Sequence, residues 1–151
     1  MLFRSRVRLA DMWTDKLGCP LAIIHKRRDP NVANTVAVHE VVGEVRDRVC
    51  VLVDDMIDTA GTIAQAAHAL REHGAKAVIC AATHPVFSGP AAQRLNQSGI
   101  EEIIVTNTLP IPDGVNVPKL TTLSVAPLIA EAIRQIFEDG SVTSLFQGAS
   151  L

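Results

Sequence analysis

Apolar residues along this chain fall into short unbroken runs and helical repeats that take turns. Val49-Cys-Val-Leu-Val53 is a continuous apolar, largely β-branched run, the pattern of a strand buried on both faces. Beyond it Ile63, Ala66, Ala67 and Leu70 recur at i, i+3, i+4 and i+7, which predicts a helix that Gly74 closes. Leu21 to Ile24, Val36 to Val42, Val78 to Ala82, Ile103 to Thr106 and Leu120 to Leu123 read as further strands. Residues 6 to 17 carry Val7, Ala10, Trp13 and Leu17 at loosely helical spacing, ended by Gly18-Cys19-Pro20. A short helix is expected from about Pro90 to Asn96. Ser124 is expected to cap a last one, with Val125, Leu128, Ile129, Ala132, Ile133 and Ile136 on one face and Asp139-Gly140 at its end. Thr83 to Gly89 reads as a loop, as does the Pro- and Gly-rich segment Leu109 to Pro118. The start of the chain reads as lying in or near a helix.

Strand–helix alternation from Val49 onward predicts right-handed βαβ units, hence an α/β fold with a mainly parallel sheet flanked by helices. No repeat, low-complexity stretch or linker divides residues 1–151, so one domain is expected.

Composition narrows the chemistry. Hydrophobic residues make up 48% but aromatics only 3%, with no Tyr and a single Trp, so the core must be aliphatic. Single-stranded nucleic acid needs several stacking rings, and polyanion binding needs many cations. The scarcity of rings and the formal charge of −2 therefore argue against a nucleic-acid partner. Cys19, Cys50 and Cys80 are odd in number and widely spaced, with no CxxC pair. Cys50 and Cys80 lie inside apolar runs, which points to buried free thiols and a reducing, cytoplasmic setting. No apolar run approaches the length of a membrane span. Met1 to Arg8 has three Arg but no apolar stretch of a secretion signal, and Asp11 and Asp15 follow too soon for a presequence.

The candidate chemistry sits after the central strand, in Val53-Asp54-Asp55-Met56-Ile57-Asp58-Thr59-Ala60-Gly61-Thr62. Ligands of open parallel sheets collect at the carboxyl ends of strands, where helix N-termini present unpaired amides. The small residues Thr59, Ala60 and Gly61 let a phosphate approach that backbone, and the hydroxyls of Thr59 and Thr62 add donors. Gly61 is the residue that can take a positive φ there. Asp54 and Asp55 suit a different partner, the hydroxyls of a sugar or a Mg²⁺ between sugar and phosphate. The alternative makes Asp58 an N-cap and leaves the other acids solvated.

This run resembles the phosphoribosyl-pyrophosphate-binding motif of the type I phosphoribosyltransferase fold, and its Asp-Thr-Ala-Gly-Thr form resembles that of ribose-phosphate pyrophosphokinases. Four other segments are similar in the same register, from about residue 6 to 147. They are Ile24-His-Lys-Arg-Arg28, like that family's catalytic flexible loop, Ala82-Thr-His-Pro-Val-Phe-Ser-Gly-Pro90, Val105-Thr-Asn-Thr-Leu-Pro-Ile-Pro112, and Gly140-Ser-Val-Thr-Ser-Leu-Phe146. The resemblance is to the carboxyl-terminal half of that enzyme, the amino-terminal half being absent. It implies a phosphoribosyltransferase-like domain that binds ribose 5-phosphate and takes part in diphosphate transfer from ATP to the 1-hydroxyl. The products are phosphoribosyl pyrophosphate, used in nucleotide biosynthesis, and AMP. Asp58, Thr59, Ala60, Gly61 and Thr62 would hold the 5-phosphate, and Asp54 the ribose hydroxyls with Asp55 beside it. Lys26 would take the catalytic-lysine position and Arg28 a ribose-phosphate or transition-state contact. Both enter a segment, Asp29 to Thr35, without apolar periodicity, which suits a lid. The resemblance further implies Mg²⁺ and a homo-oligomer, a hexamer.

The sequence departs from that family in three places. Its Mg²⁺-binding His residues and its adenine contacts belong to the absent half. Leu2-Phe3-Arg4-Ser5 stands where a Pro-Asp-x-Gly motif is expected, so no metal ligand is assigned in this chain. Pro85 replaces a usual Gly beside His84, a histidine at a strand end that can approach the pocket. His68 and His73 are expected to be exposed, and His39 has no evident partner. The isolated chain is accordingly expected to bind ribose 5-phosphate weakly, with little synthase activity. Other readings of the same pocket are a phosphoribosyltransferase, against which the Lys26 loop and the carboxyl-terminal segment speak, and a non-catalytic regulatory subunit of the synthase assembly.

Overall fold

The computed structural model describes residues 2–3, 7–27 and 38–146, with side chains over 12–24 and 40–145. Seven strands form one sheet in the order β3-β2-β1-β4-β5-β6-β7. They are β1 (Leu2–Phe3), β2 (Ile23–Arg27), β3 (Val38–Val42), β4 (Val49–Ile57), β5 (Ala77–Pro85), β6 (Glu102–Thr106) and β7 (Leu120–Leu123). Neighbours pair parallel except β2 and β3, which run antiparallel. The helices are α1 (Val7–Leu17), α2 (Gly61–Glu72), α3 (Ala91–Gln97) and α4 (Ala126–Phe137), followed by a 3₁₀ turn, Val142–Phe146. The expected α/β class with a mainly parallel sheet holds.

Strand order reverses between β1 and β4. From β1 the chain moves outward to β2, and from β4 it moves outward the other way to β5 and β6. Crossovers leaving in opposite directions part at that point, the place where open parallel sheets form ligand crevices at the carboxyl ends of their strands.

Several elements differ from the apolar pattern. β1 was not expected, because two paired residues leave no periodicity to read. β4 runs four residues past Val53 and β5 three past Ala82, so Asp54, Asp55, Thr83 and His84 are strand residues rather than loop. Their backbones stay paired, Asp54 with Ala82, Met56 with His84 and Ile57 with Pro85. Backbone pairing carries polar residues to the strand ends where apolar burial has stopped. α4 begins after Val125, and Ser124 instead accepts a hydrogen bond from the Ala126 N–H at 3.2 Å.

One face of the sheet holds the core. Cys50 and Leu52 of β4, Val78 and Cys80 of β5, and Ile103 and Val105 of β6 pack against Ile63, Ala66, Ala67 and Leu70 of α2 and Ala91 and Leu95 of α3. Complete burial of Leu70 contributes about 1.5–3 kcal/mol. Helix α2 ends in a Schellman arrangement, with Ala75 N–H to the Leu70 carbonyl at 3.0 Å, Gly74 N–H to the Arg71 carbonyl at 3.0 Å, and Gly74 at φ 88°. On the opposite face Trp13 of α1 packs on Val53 with Leu21 and Val51. Among the described residues α4 buries none, and Leu128, Ile129, Ile133, Ile136 and Phe137 stand open to solvent.

Candidate functional site

The corner between β4 and α2 is short. Ile57 ends the strand fully buried, Asp58 and Thr59 are exposed, and Ala60 is the residue before the helix. Ala60 is left-handed, at φ 57° and ψ 7°, and no side chain caps α2. The positive φ that Gly61 could have taken falls on Ala60 instead, and the alternative that makes Asp58 an N-cap does not hold. Gly61 matters for space instead. A Cβ there would lie 3.2 Å from Arg94 Nη1, which is tight.

Every carbonyl from Ile57 to Ala60 has a donor within the protein. Phe87 N–H donates to Ile57 O at 2.9 Å, Ser88 N–H to Asp58 O at 3.0 Å, Arg94 Nη1 to Thr59 O at 3.0 Å, and Ala64 N–H to Ala60 O at 3.0 Å. In a trans peptide the N–H points opposite to the carbonyl of the same unit. The amides of Thr59, Ala60 and Gly61 are therefore turned away from these donors. None of the described residues accepts from them, and the amides of Gly61, Thr62 and Ile63 all precede the first helical hydrogen bond. A cavity of about 350 Å³ opens over this corner, lined by Asp54, Met56, Ile57 and residues 58–63. An anion there meets unpaired amides at the positive end of the helix dipole.

A second cavity, about 400 Å³, shares Asp54 with the first and is otherwise lined by Trp13, Val53, Asp55, Ala81, Ala82, Thr83, Ile104, Val105, Thr106 and Leu123. Both Asp54 and Asp55 are half-buried, and Asp54 Oδ1 accepts from the Asp55 N–H at 2.9 Å. One carboxylate thus borders both cavities at once. At the rim, His84 Nδ1 lies 2.8 Å from Thr108 Oγ1, while Thr106 and Thr108 both donate to the Thr83 carbonyl, at 2.7 and 3.1 Å. Pro85 at the strand end is fully buried. His68 is exposed, and so is His73, whose Nδ1 lies 2.7 Å from the Ala69 carbonyl.

The cysteines take no part in polar chemistry here. Burial, with the Asp54 charge as a lesser cause, pushes the Cys80 thiol up to about 12, and burial also raises Cys50. Both stay protonated at neutral pH, while Cys19 is exposed.

Asp54, Asp55, Asp58, Thr59, Ala60, Gly61 and Thr62 are thus brought together at one strand-to-helix corner. Lys26 belongs to β2, paired with His39 of β3. Leu2 of β1 pairs with both Ile23 and Val53, so Lys26 lies three residues beyond that level, as Met56 does. Lys26 and the acidic corner therefore share the carboxyl edge of the sheet, with β2 roughly 10 Å from β4 at two strand spacings. The Lys26 side chain, Arg28 and the segment Asp29 to Thr35 lie outside the described residues. Sequence reasoning missed Arg94. It sits on a separate helix with no motif around it, and only the folded contact reveals it.

For Mg²⁺, no group of three His, Cys, Asp or Glu residues converges among the described residues. Asp54 and Asp55 fit the ion only in the manner usual for Mg²⁺, one or two carboxylates with water and substrate phosphate completing the shell. No helix among the described residues is long and apolar enough to cross a membrane.

The family model described as phosphoribosyl synthetase-associated domain matches residues 24–147. The ribose-phosphate pyrophosphokinase of Streptomyces coelicolor is 64% identical over 142 residues, covering 94% of this chain and 44% of that protein. That of Mycobacterium tuberculosis is 60% identical over 145 residues, covering 95% and 44%. Among solved structures, phosphoribosylpyrophosphate synthetase from Mycobacterium smegmatis superposes with a TM-score of 0.80 at 54% identity, over 91% of this chain and 44% of that one. The chain thus spans a little under half the length of the relatives it matches.

Proposed function

Because the chain belongs to the phosphoribosyl synthetase-associated domain family, we propose that it is the ribose-5-phosphate-binding half of a ribose-phosphate pyrophosphokinase, corresponding to the carboxyl-terminal half of its relatives. The observation that carries this reading is the β4–α2 corner, where four consecutive carbonyls are tied to the protein and the amides facing the cavity are left for a ligand.

In this reading the 5-phosphate of ribose 5-phosphate sits on the amides of residues 59–62, with the Thr59 and Thr62 hydroxyls as further donors. Asp54 accepts from the ribose hydroxyls, because it borders both the phosphate corner and the adjoining cavity, and Asp55 flanks it. The 1-hydroxyl oxygen attacks the β-phosphorus of ATP and loses its proton. The bond from the β-phosphorus to the α,β-bridging oxygen breaks, and AMP leaves with that oxygen. Such transfers depend on alignment and on cations around the phosphoryl oxygens. Lys26 supplies a compact charge from the carboxyl end of β2, and Arg28 a planar fork. Mg²⁺, held by Asp54 or Asp55 together with substrate oxygens, would neutralise phosphate charge.

The open face of α4 supports the idea of a half-enzyme. Five large apolar side chains on or ending one helix are left uncovered, and relatives carry more than twice this length of chain. The remainder of the enzyme is the occupant we assign to that face, with homo-oligomerisation building on the completed unit and the whole working in the cytoplasm. Two assays test the proposal. The chain alone should bind ribose 5-phosphate but release no AMP from ATP. Joined to the residues of the Streptomyces coelicolor relative that it does not match, it should release AMP. Replacing Lys26 by Ala in that assembly should lower turnover about 10²–10³-fold with ribose 5-phosphate affinity kept. An assembly that turns over equally well without Lys26 would remove the catalytic assignment.

A further inference from the structure

Arg94 is the donor at the loop that no sequence motif announces. It stands on α3, beside Leu95, and both Ala91 and Leu95 of that helix are fully buried. Its side chain therefore leaves a fixed base. From there Nη1 donates to the Thr59 carbonyl at 3.0 Å, joining residues 35 apart in sequence. The same nitrogen lies where a Cβ on Gly61 would come within 3.2 Å. No other partner of Arg94 occurs among the described residues, so the rest of its fork is uncommitted.

Resting on the reading of the corner as a phosphate site, we propose that Arg94 is the positioning residue of that loop, holding the Thr59–Ala60 peptide so that its N–H faces the ligand. Two consequences of the geometry lead there. First, the Thr59 carbonyl and the Ala60 N–H belong to one planar peptide unit, so the hydrogen bond that anchors the carbonyl also aims the amide at the cavity. Ala60 occupies a left-handed conformation that alanine disfavours, and the Arg94 contact holds one side of it. Second, Arg94 is not among the residues that line the cavity, so it acts on a ligand through the loop rather than by touching it. The absence of a side chain at Gly61 is then explained by the approach of Arg94 rather than by the backbone angle of the glycine.

The test uses the intact chain with Arg94→Ala, Arg94→Gln and Arg94→Lys. Dissociation constants for ribose 5-phosphate, inorganic phosphate and ribose are measured by calorimetry. Amide shifts of Ala60 and Gly61 and the melting temperature are recorded without ligand. Arg94→Ala should weaken ribose 5-phosphate and phosphate about tenfold or more while leaving ribose unchanged, and should move the Ala60 and Gly61 resonances. Arg94→Gln, whose amide stops short of the Nη1 position, should move the same resonances and lose the same affinity. Arg94→Lys, whose ammonium can still donate to the Thr59 carbonyl, should recover part of both. If Arg94→Ala does not fold, Arg94→Gln decides by the same comparison at unchanged melting temperature. Wild-type phosphate affinity in Arg94→Ala, or in Arg94→Gln where that variant decides, overturns this inference alone. Failure of the unaltered chain to bind ribose 5-phosphate at all overturns both it and the phosphate reading of the corner.

Discussion

Helices α2 and α4 are both twelve residues long and both amphipathic, and they meet opposite surroundings. α2 buries Ile63, Ala66, Ala67, Ala69 and Leu70 against the sheet, whereas α4, the more apolar of the two in its large side chains, buries nothing among the described residues. Their N-termini differ in the reverse sense. At α4 the Val125 N–H donates to Asn107 Oδ1 at 2.9 Å and the Ala126 N–H to Ser124 Oγ at 3.2 Å. Neither helix has a side-chain bond from its N-cap residue, but at α2 no described side chain takes a first-turn amide at all. Thus the helix that is finished along its side is open at its end, while the helix that is open along its side has its first amide taken. An amphipathic stripe states that a surface must be covered, and an uncapped end states that donors must be satisfied. Neither says by what. The first requirement marks an interface, and the second a ligand site.

The difference is sharpest in stability. Leu70→Ala should cost about 2–5 kcal/mol in urea unfolding of the chain, through lost burial and the cavity left behind. Ile133→Ala, at a side chain 50% exposed, should change stability by about 0.5 kcal/mol or less. Equal costs would mean that α4 is packed in solution and the comparison fails. Association comes next. Ile129→Glu with Ile133→Glu should reduce concentration-dependent self-association in sedimentation without changing the helical signal, because an exposed apolar stripe is what drives it. The same pair should weaken assembly with the portion of a relative that this chain does not match.

These contrasts also show what could be read in advance. The aliphatic runs and the 3.6-residue repeats located β2 to β7 and all four helices, because burial on a sheet leaves a mark on side-chain type. Ends were less legible. Asp54, Asp55, Thr83 and His84 are polar residues held in strands by pairing between β4 and β5, and backbone pairing leaves no compositional trace. The acidic, small-residue run lies, as expected, at the corner after the central strand, beside a cavity. Its internal geometry was hidden, because the left-handed residue is Ala60, where Gly61 was the natural candidate. Arg94 was invisible for the same reason as β1: a contact between distant segments has no local signature.

A smaller effect separates the exposed thiol from the two buried ones. Cys19 should react with a thiol reagent at pH 8 within minutes, while Cys50 and Cys80, on the covered side of the sheet, should react only on unfolding. Since the folded Cys80 pKa of about 12 lies above its ordinary value of 9.0, the folded chain retains a proton that the unfolded chain releases between them. Stability from this group is complete below pH 9 and declines as pH rises toward 12, a decline that Cys80→Ala should flatten.

The account depends most on the unclaimed amides at the start of α2. Titrating the ¹⁵N-labelled chain with ribose 5-phosphate should shift the amide signals of Thr59, Ala60, Gly61 and Thr62 in a saturable way. Those of Val125 and Ala126, already bonded at the start of α4, should stay fixed, and ribose without phosphate should leave residues 59–62 unmoved. Saturable shifts elsewhere with residues 59–62 unchanged would contradict the phosphate corner outright.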